Sequence, residues 1–362
     1  MLDVIGLAER ILQLLDRGSF TTTYKYAVLL ALIDTCVETA VDSGAPFPSV
    51  TTRQLAEKVF ELYWRQADAY PAAGAMLTQH LHPKQEAGIL AAASAFRGEA
   101  SAHGGSTSLF RAKLALPDVY RRHIDDVEWT LIRYPLPLLQ NVGREQQSFL
   151  YTYSWEHPAK RSDVRAMQKG APTTFDNMLR LQPGVGEGLV QLSGLLRTLI
   201  QKEWTSAVAG FNRLETDALE SFLFAGADRT SLQKVRAPLV DVQKGQCFYC
   251  GKGMRTDVHV DHFIPWSRHA SNALGNLVAA HEKCNLAKSD YLAAERHLEH
   301  WLQRDDDMLE SIAADAGWEF APQRTGAVVR NTYLRLPSET LLWERGKEFV
   351  RKDTQRLLSF FS

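Results

Sequence analysis

CFYCGKGMRTDVHVDHFIPWSRHASNALGNLVAAHEKCNLAK, residues Cys247–Lys288, holds three of the chain's four cysteines and four of its eleven histidines. Cys247 and Cys250 form a C-x2-C pair, and His281 and Cys284 form an H-x2-C pair. One such pair is weak evidence for a metal. Two in one compact segment match the ligand number and knuckle spacing of tetrahedral zinc. Cys247, Cys250, His281 and Cys284 make a closed Cys3His set with no position left for substrate. A zinc ion (Zn2+) held this way is structural and clamps both ends of a segment too small to fold alone. The competing reading is two unrelated buried pairs.

Between the pairs lie HVDHFIPWS, then GNLV, then KCNLAK. Asp261 and His262 are neighbours, so on a strand their side chains point to opposite faces. That separation suits two roles, one residue holding a metal and the other handling a proton. Asn285 follows Cys284 directly and is expected to open a helix, which fixes its position. Lys283, Lys288, Arg268 and Arg255 stand nearby and could contact phosphates, although each taken alone reads better as an ordinary surface charge.

A zinc knuckle, VDHFIPWS, NLV and CNLAK, in that order, resemble the HNH endonuclease superfamily with its ββα-metal fold. The resemblance covers about Cys247–Asp290. One departure is visible: the second knuckle usually reads C-x2-C and here reads HEKC, with His281 itself a good zinc ligand. The resemblance implies that His262 is the general base that activates water. It implies that Asp261 and Asn285 bind one catalytic divalent metal, Mg2+ or Mn2+. Asn276 corresponds to the asparagine that pins the loop between the strands and helps orient His262. His259, two residues before Asp261 on the same strand face, either joins or borders that metal or faces solvent.

The chemistry stands on its own terms. A phosphodiester is anionic, and a hard cation offsets the charge that develops as water attacks. One carboxylate and one amide oxygen leave coordination positions for water and phosphate, as magnesium prefers. An imidazole of ordinary pKa, about 6.5, is mostly neutral at pH 7 and accepts the proton. The activity the resemblance implies, and this chemistry suits, is hydrolysis of DNA phosphodiester bonds by an HNH-type endonuclease. The alternative is a catalytically inactive, zinc-stabilised nucleic-acid-binding module.

The rest of the chain sets the context. Its 362 residues are 45% hydrophobic, enough for two domains or more. A formal net charge of −1 excludes a globally basic protein, so a nucleic-acid surface must be a local patch. Four cysteines do not make a disulfide framework. MLDVIGLAERILQLLDRG reads as an amphipathic helix rather than a signal peptide, because Asp3, Glu9 and Arg10 interrupt its apolar pattern. No run of about 18 apolar residues appears, so no membrane span is expected and the cytoplasm is the default setting.

Thr21–Thr23 cap a buried helix that holds Cys36 as a small core hydrophobe. SVTTRQLAEKVFELYWRQ and KQEAGILAAASAFRGEA are further helices. VEWTLIRYPLPLLQ and QQSFLYTYSW, short and rich in aromatic and β-branched residues around NVGRE, predict a β-hairpin or small sheet. PGVGEG, Pro183–Gly188, precedes an apolar run and lacks the spacing of a phosphate-binding loop, so it reads as a plain helix entry. GADRT, Gly226–Thr230, marks a boundary. SLQKVRAPLVDVQ then leads into the cysteine stretch. SDYLAAERHLEHWLQR, DDMLESIAADAGW and SETLLWERGKEFVRKDTQRLLSFF are read as helices, with Asp305–Asp307 an acidic helix start.

The expected fold is α+β and mainly α-helical. A helical recognition or regulatory region with a small β-hairpin spans 1–225. A zinc-stabilised ββα-metal nuclease domain spans 226–303, and a C-terminal helical segment spans 304–362. The architecture is similar to stand-alone bacterial HNH proteins, which implies restriction or anti-phage defence. DNA is the expected partner, with a homodimer or a defence-system partner protein compatible with one active site per chain.

Overall fold

The computed structural model describes residues 3–18, 20–39, 47, 49–82, 88–103, 108–142, 145–224 and 229–361. The chain divides into two compact units, one of Met1–Cys36 and Val41–Ala225, the other of Val37–Ala40 and Gly226–Ser362. Both are mainly helical with small antiparallel sheets, an α+β architecture.

In the first unit, Asp3 caps the helix Val4–Arg17 by accepting from the Gly6 N–H at 2.7 Å. Its buried face is Leu7, Ile11 and Leu14, a helical repeat. The helix Thr52–Gln66 starts with a capping box between Thr51 and Gln54. Cys36 is buried, as a small hydrophobe should be. Phe60, Trp64, Phe96 and Tyr120 form one aromatic core cluster, and Tyr63, Trp204 and Phe224 form another.

PGVGEG packs rather than cradles an anion. Gly184 has φ +87°, which glycine adopts readily, and precedes the helix Val185–Gln191. A Cβ on Gly186 would lie 2.3 Å from the Phe47 ring. That glycine is there for close approach.

The hairpin expected from VEWTLIRYPLPLLQ and QQSFLYTYSW is not formed as drawn. Val127–Arg133 is instead the second half of the helix Pro117–Arg133, which buries Ile124, Val127, Glu128, Leu131 and Ile132. Pro117 in its first turn and that i, i+3, i+4 burial outweigh the β-prone composition. A two-residue ladder joins Asn141–Val142 to Glu145–Gln146, at NVGRE itself. Tyr151–Thr152 pairs with Leu181 and Arg180 instead, in a three-stranded sheet completed by Val50–Thr51.

The second unit begins its described part with the helix Arg229–Val242. The strands Val258–His262 and Leu277–His281 pair antiparallel, with Asp261 opposite Val278 and His262 opposite Leu277. The helix Glu282–Lys288 follows at once. Further helices are Glu295–Leu302, Asp306–Ala316 and Pro322–Leu334. Asp305 caps the second of these, accepting from the Met308 N–H at 3.1 Å.

Two C-terminal expectations need correction. SETLLWERGKEFVRKDTQRLLSFF is not one helix. Leu341–Arg345 and Glu348–Arg351 form a hairpin around Gly346, at φ +51°, and only Thr354–Phe360 is helical. The glycine turn and the β-prone residues beside it decide this. The helix expected over 289–304 starts only at Glu295, because Leu292–Ala294 run alongside Trp343.

Candidate functional site

The segment between the paired knuckles is a β-hairpin with a helix on its exit. The Cys247 turn closes through Gly251 N–H to Cys247 O at 2.9 Å, with Gly251 at φ +67°. Phe248 N–H reaches the Ala279 carbonyl at 3.0 Å, tying the knuckle to the second strand. Gln243 clamps the same residue twice, giving Nε2 to the Ala279 carbonyl and taking its N–H, both at 2.8 Å. Strand pairing then carries His281 opposite Val258, and Cys284 follows one helical turn later.

The ligand atoms of Cys247, Cys250, His281 and Cys284 all lie within 4.8 Å of one another. Tetrahedral zinc with Zn–S of 2.3 Å spaces its sulfurs about 3.8 Å apart, so the four fit with a small contraction. His281 presents Nδ1 to Cys250 Sγ at 3.4 Å while Nε2 faces the Gly253 carbonyl at 3.3 Å. That carbonyl fixes the tautomer and leaves the Nδ1 lone pair toward the thiols. Burial and the neighbouring Cys247 and Cys250 charges push the Cys284 thiol up to about 12. Cys250, although partly desolvated, is drawn below the usual thiol range by hydrogen bonds from the Lys252 backbone, His281 and the other cysteines. Crowded thiols competing for protons are a donor set that a soft-accepting dication satisfies.

Asp261 is buried, on the face of its strand that the following helix covers. Its Oδ2 accepts from the Tyr249 hydroxyl at 2.5 Å and pairs with Lys288 Nζ at 3.1 Å. Tyr249 is enclosed, and burial with the Asp261 charge beside it holds its phenol well above the usual range, so it stays a donor. Lys288 is fully buried and also gives a hydrogen bond to the His262 carbonyl at 2.8 Å. This overturns its reading as a phosphate contact: its ammonium is spent on residues 261 and 262. Lys283 and Arg255 are exposed and Arg268 half-buried.

His259 and Asn285 are brought together, with His259 Nδ1 and Asn285 Nδ2 at 3.4 Å. Asn285 does not open its helix; it is the middle residue of Glu282–Lys288, three residues before Lys288. Two parallel contacts therefore run between helix and strand, 285 to 259 and 288 to 261. Which end of the Asn285 amide faces His259 is set by its surroundings, and a half-turn exchanges the nitrogen for the oxygen.

His262 lies on the opposite strand face. Its Nε2 is 2.8 Å from Asn272 Oδ1, and its ring meets Trp266 edge-on at 5.2 Å. With Nε2 donating to that oxygen, the neutral ring carries its basic lone pair on Nδ1. Asn272 is itself held, its carbonyl accepting from Trp318 Nε1 at 2.6 Å. Asn276 pins the loop after His262: Oδ1 takes the Ile264 N–H at 2.8 Å, and Nδ2 gives to the Ile264 carbonyl at 3.1 Å. It does not bond the His262 ring in these contacts; Asn272 does. Below the loop, Trp301 Nε1 and Arg304 both donate to the Gly275 carbonyl, with Arg304 also reaching Leu277 O at 3.0 Å. His269, the fourth histidine of the stretch, is buried and paired with Glu38 at 2.9 Å.

The sequence reading missed Asn272 and Tyr249 as site residues. SRHASNALGN offers several polar side chains at unknown loop positions, and only the fold selects Asn272. Tyr249, inside the knuckle CFYC, carries no sequence signal that ties it to Asp261; the fold alone brings the two together.

Residues 247–291 match the family model of the HNH endonuclease. No curated protein and no solved structure matches the chain. The HNH segment thus contains the Cys3His cluster, Asp261, His262, Asn276 and Asn285 together. Among the described residues, no helix is long and apolar enough to cross a membrane.

Proposed function

We propose that this chain is a metal-dependent HNH endonuclease that hydrolyses DNA phosphodiester bonds. The observation that carries the reading is the placement of Asp261, His262 and Asn285 on one strand–helix unit inside the segment that matches the HNH endonuclease model.

Asp261 and Asn285 are the residues that would hold a magnesium or manganese ion, with His259 at its border. The donors suit a hard cation: Asp261 is anchored through Oδ2, Oδ1 makes no hydrogen bond among the described residues, and Asn285 is half-buried beside His259. Such an ion, when bound, supplies Lewis-acid stabilisation of the phosphoryl oxygens and the leaving oxygen. His262 takes the proton of the attacking water at Nδ1, its Nε2–H kept in place by Asn272. Asn276 keeps the loop after His262 at a fixed distance from the strand. Lys288 neutralises part of the Asp261 charge and binds the His262 carbonyl, so it joins the metal-holding residue to the proton-accepting one. The Cys3His zinc is structural.

The rival is an inactive zinc-stabilised nucleic-acid-binding module, and the Lys288–Asp261 pair is the observation in its favour, since it engages the carboxylate without a metal. Supercoiled plasmid separates the two. With magnesium or manganese, the enzyme reading expects nicked or linear product. Asp261→Ala and Asn285→Ala are expected to lose cleavage while zinc content stays at the wild-type level. A variant that cuts at the wild-type rate removes that residue from the metal site. A role in bacterial restriction or anti-phage defence is the biological setting we propose. Phage DNA with modified bases, run beside unmodified DNA, tests it.

A further inference from the structure

The first unit carries a cationic groove that the HNH chemistry does not use. It lies between the helices Pro117–Arg133 and Arg161–Gln168, and encloses about 230 Å³. Arg122, Trp129, Arg161, Arg165 and Lys169 line it, together with Asp125 and Asp126.

The two carboxylates are already engaged. Asp125 pairs with Arg53, and Asp126 pairs with Arg161 at 3.2 Å. Among the described residues, Arg122, Arg165 and Lys169 make no ion pair, and all three are exposed. Arg161 also lies over the Trp129 ring, 5.6 Å from its centroid, so that face of the indole is already occupied. Arg161, Arg165 and Lys169 recur every four residues, so they form a row with about 6 Å between neighbours along the helix axis. The row is rigidly mounted. Val164 is fully buried, and Gln168 Nε2 donates to the Asp125 carbonyl and to Glu128 Oε2, both at 3.0 Å.

The dimensions decide what fits. The volume is below the roughly 300 Å³ at which small-molecule pockets begin, and the aromatic face is taken. A free nucleotide is therefore a poor occupant. A linear polyanion that crosses the groove with one or two phosphates inside suits the row of charges. We propose that the groove between Pro117–Arg133 and Arg161–Gln168 is a phosphate-backbone contact for the DNA substrate, binding without regard to base sequence. This rests on the reading of the chain as acting on DNA.

The test is the salt dependence of binding. Full-length zinc-loaded protein is titrated onto labelled duplex DNA without added magnesium or manganese, across a range of potassium chloride concentrations. Two phosphate contacts removed should lower the slope of log K against log salt by about 2. Arg165→Ala with Lys169→Ala is expected to show that drop on unrelated sequences alike. Lys202→Ala with Lys347→Ala removes the same charge elsewhere, at exposed positions, and is expected to keep the wild-type slope. An unchanged slope in the groove variant, with wild type still cutting plasmid, overturns the groove and leaves the nuclease reading intact. An equal drop in both double variants also overturns it, since net charge alone then accounts for the effect. A wild type that neither binds nor cuts DNA removes both readings. Unchanged melting temperatures confirm that the variants are folded.

Discussion

At residues 261 and 262 the strand hands two neighbouring side chains to different surroundings. Asp261 goes to Tyr249 and Lys288, and His262 goes to Asn272 and Trp266. Lys288 closes the gap from below, binding the side chain of one and the carbonyl of the other. Its burial is tolerable only because both bonds are made. Lys288→Met keeps the stem and removes the ammonium, leaving a nearly enclosed carboxylate with one partner fewer. Breaking a buried pair from one side costs about 3–5 kcal/mol. Urea unfolding of zinc-loaded protein is expected to show a loss of that order. A loss below about 1 kcal/mol, the scale of an exposed pair, would mean that Lys288 is solvated.

At the scale of elements, the hairpin Val258–His281 and its helix are short, and the Cys3His cluster, which could hold a metal such as zinc, gathers the knuckle before the hairpin and the start of the helix after it. Cys247→Ser should lose the metal, measured by elemental analysis, and lower the melting temperature of the second unit. Cys36→Ala, in the first unit's core, should leave zinc content unchanged. The hairpin Leu341–Arg351 adds a different constraint. His297 stacks on Trp343 and gives Nε2–H to the Glu344 carbonyl at 2.8 Å. Burial pushes its pKa down to about 4, below the unfolded value of about 6.5. A histidine depressed in the fold contributes full stability above about pH 6.5 and loses it as pH falls toward 4. Stability should therefore decline over that window more steeply in wild type than in His297→Asn, read as the difference between their unfolding free energies. Parallel curves would place His297 in solvent. These elements also mark what the sequence could tell. The zinc pairs were legible because ligand spacing is local. Val127–Arg133 was misread because β-branched and aromatic residues mark burial as much as strand, and Pro117, ten residues upstream, was the deciding cue. The C-terminal hairpin is hard to read from sequence because a single glycine, Gly346, is tolerated inside a helix as well as required in a turn. Asn272 was not legible, since its role depends on a loop folded back by Trp318 and Asn276.

At the scale of the whole molecule, a helical unit with a cationic groove and a second unit with the HNH segment share one chain. Its near-zero net charge agrees with nucleic-acid contact confined to local patches. Everything said of mechanism depends on cleavage residing in the HNH segment. His262→Ala tests that most directly, because it removes the proposed base and touches no zinc ligand and neither proposed metal ligand. Wild type and variant are compared on supercoiled plasmid with magnesium or manganese, at matched zinc content and matched DNA affinity. General-base catalysis is worth about 10²- to 10⁴-fold, so the variant should nick slower by at least that order while still binding DNA. Equal cleavage by both proteins, or no cleavage by wild type, would contradict the account.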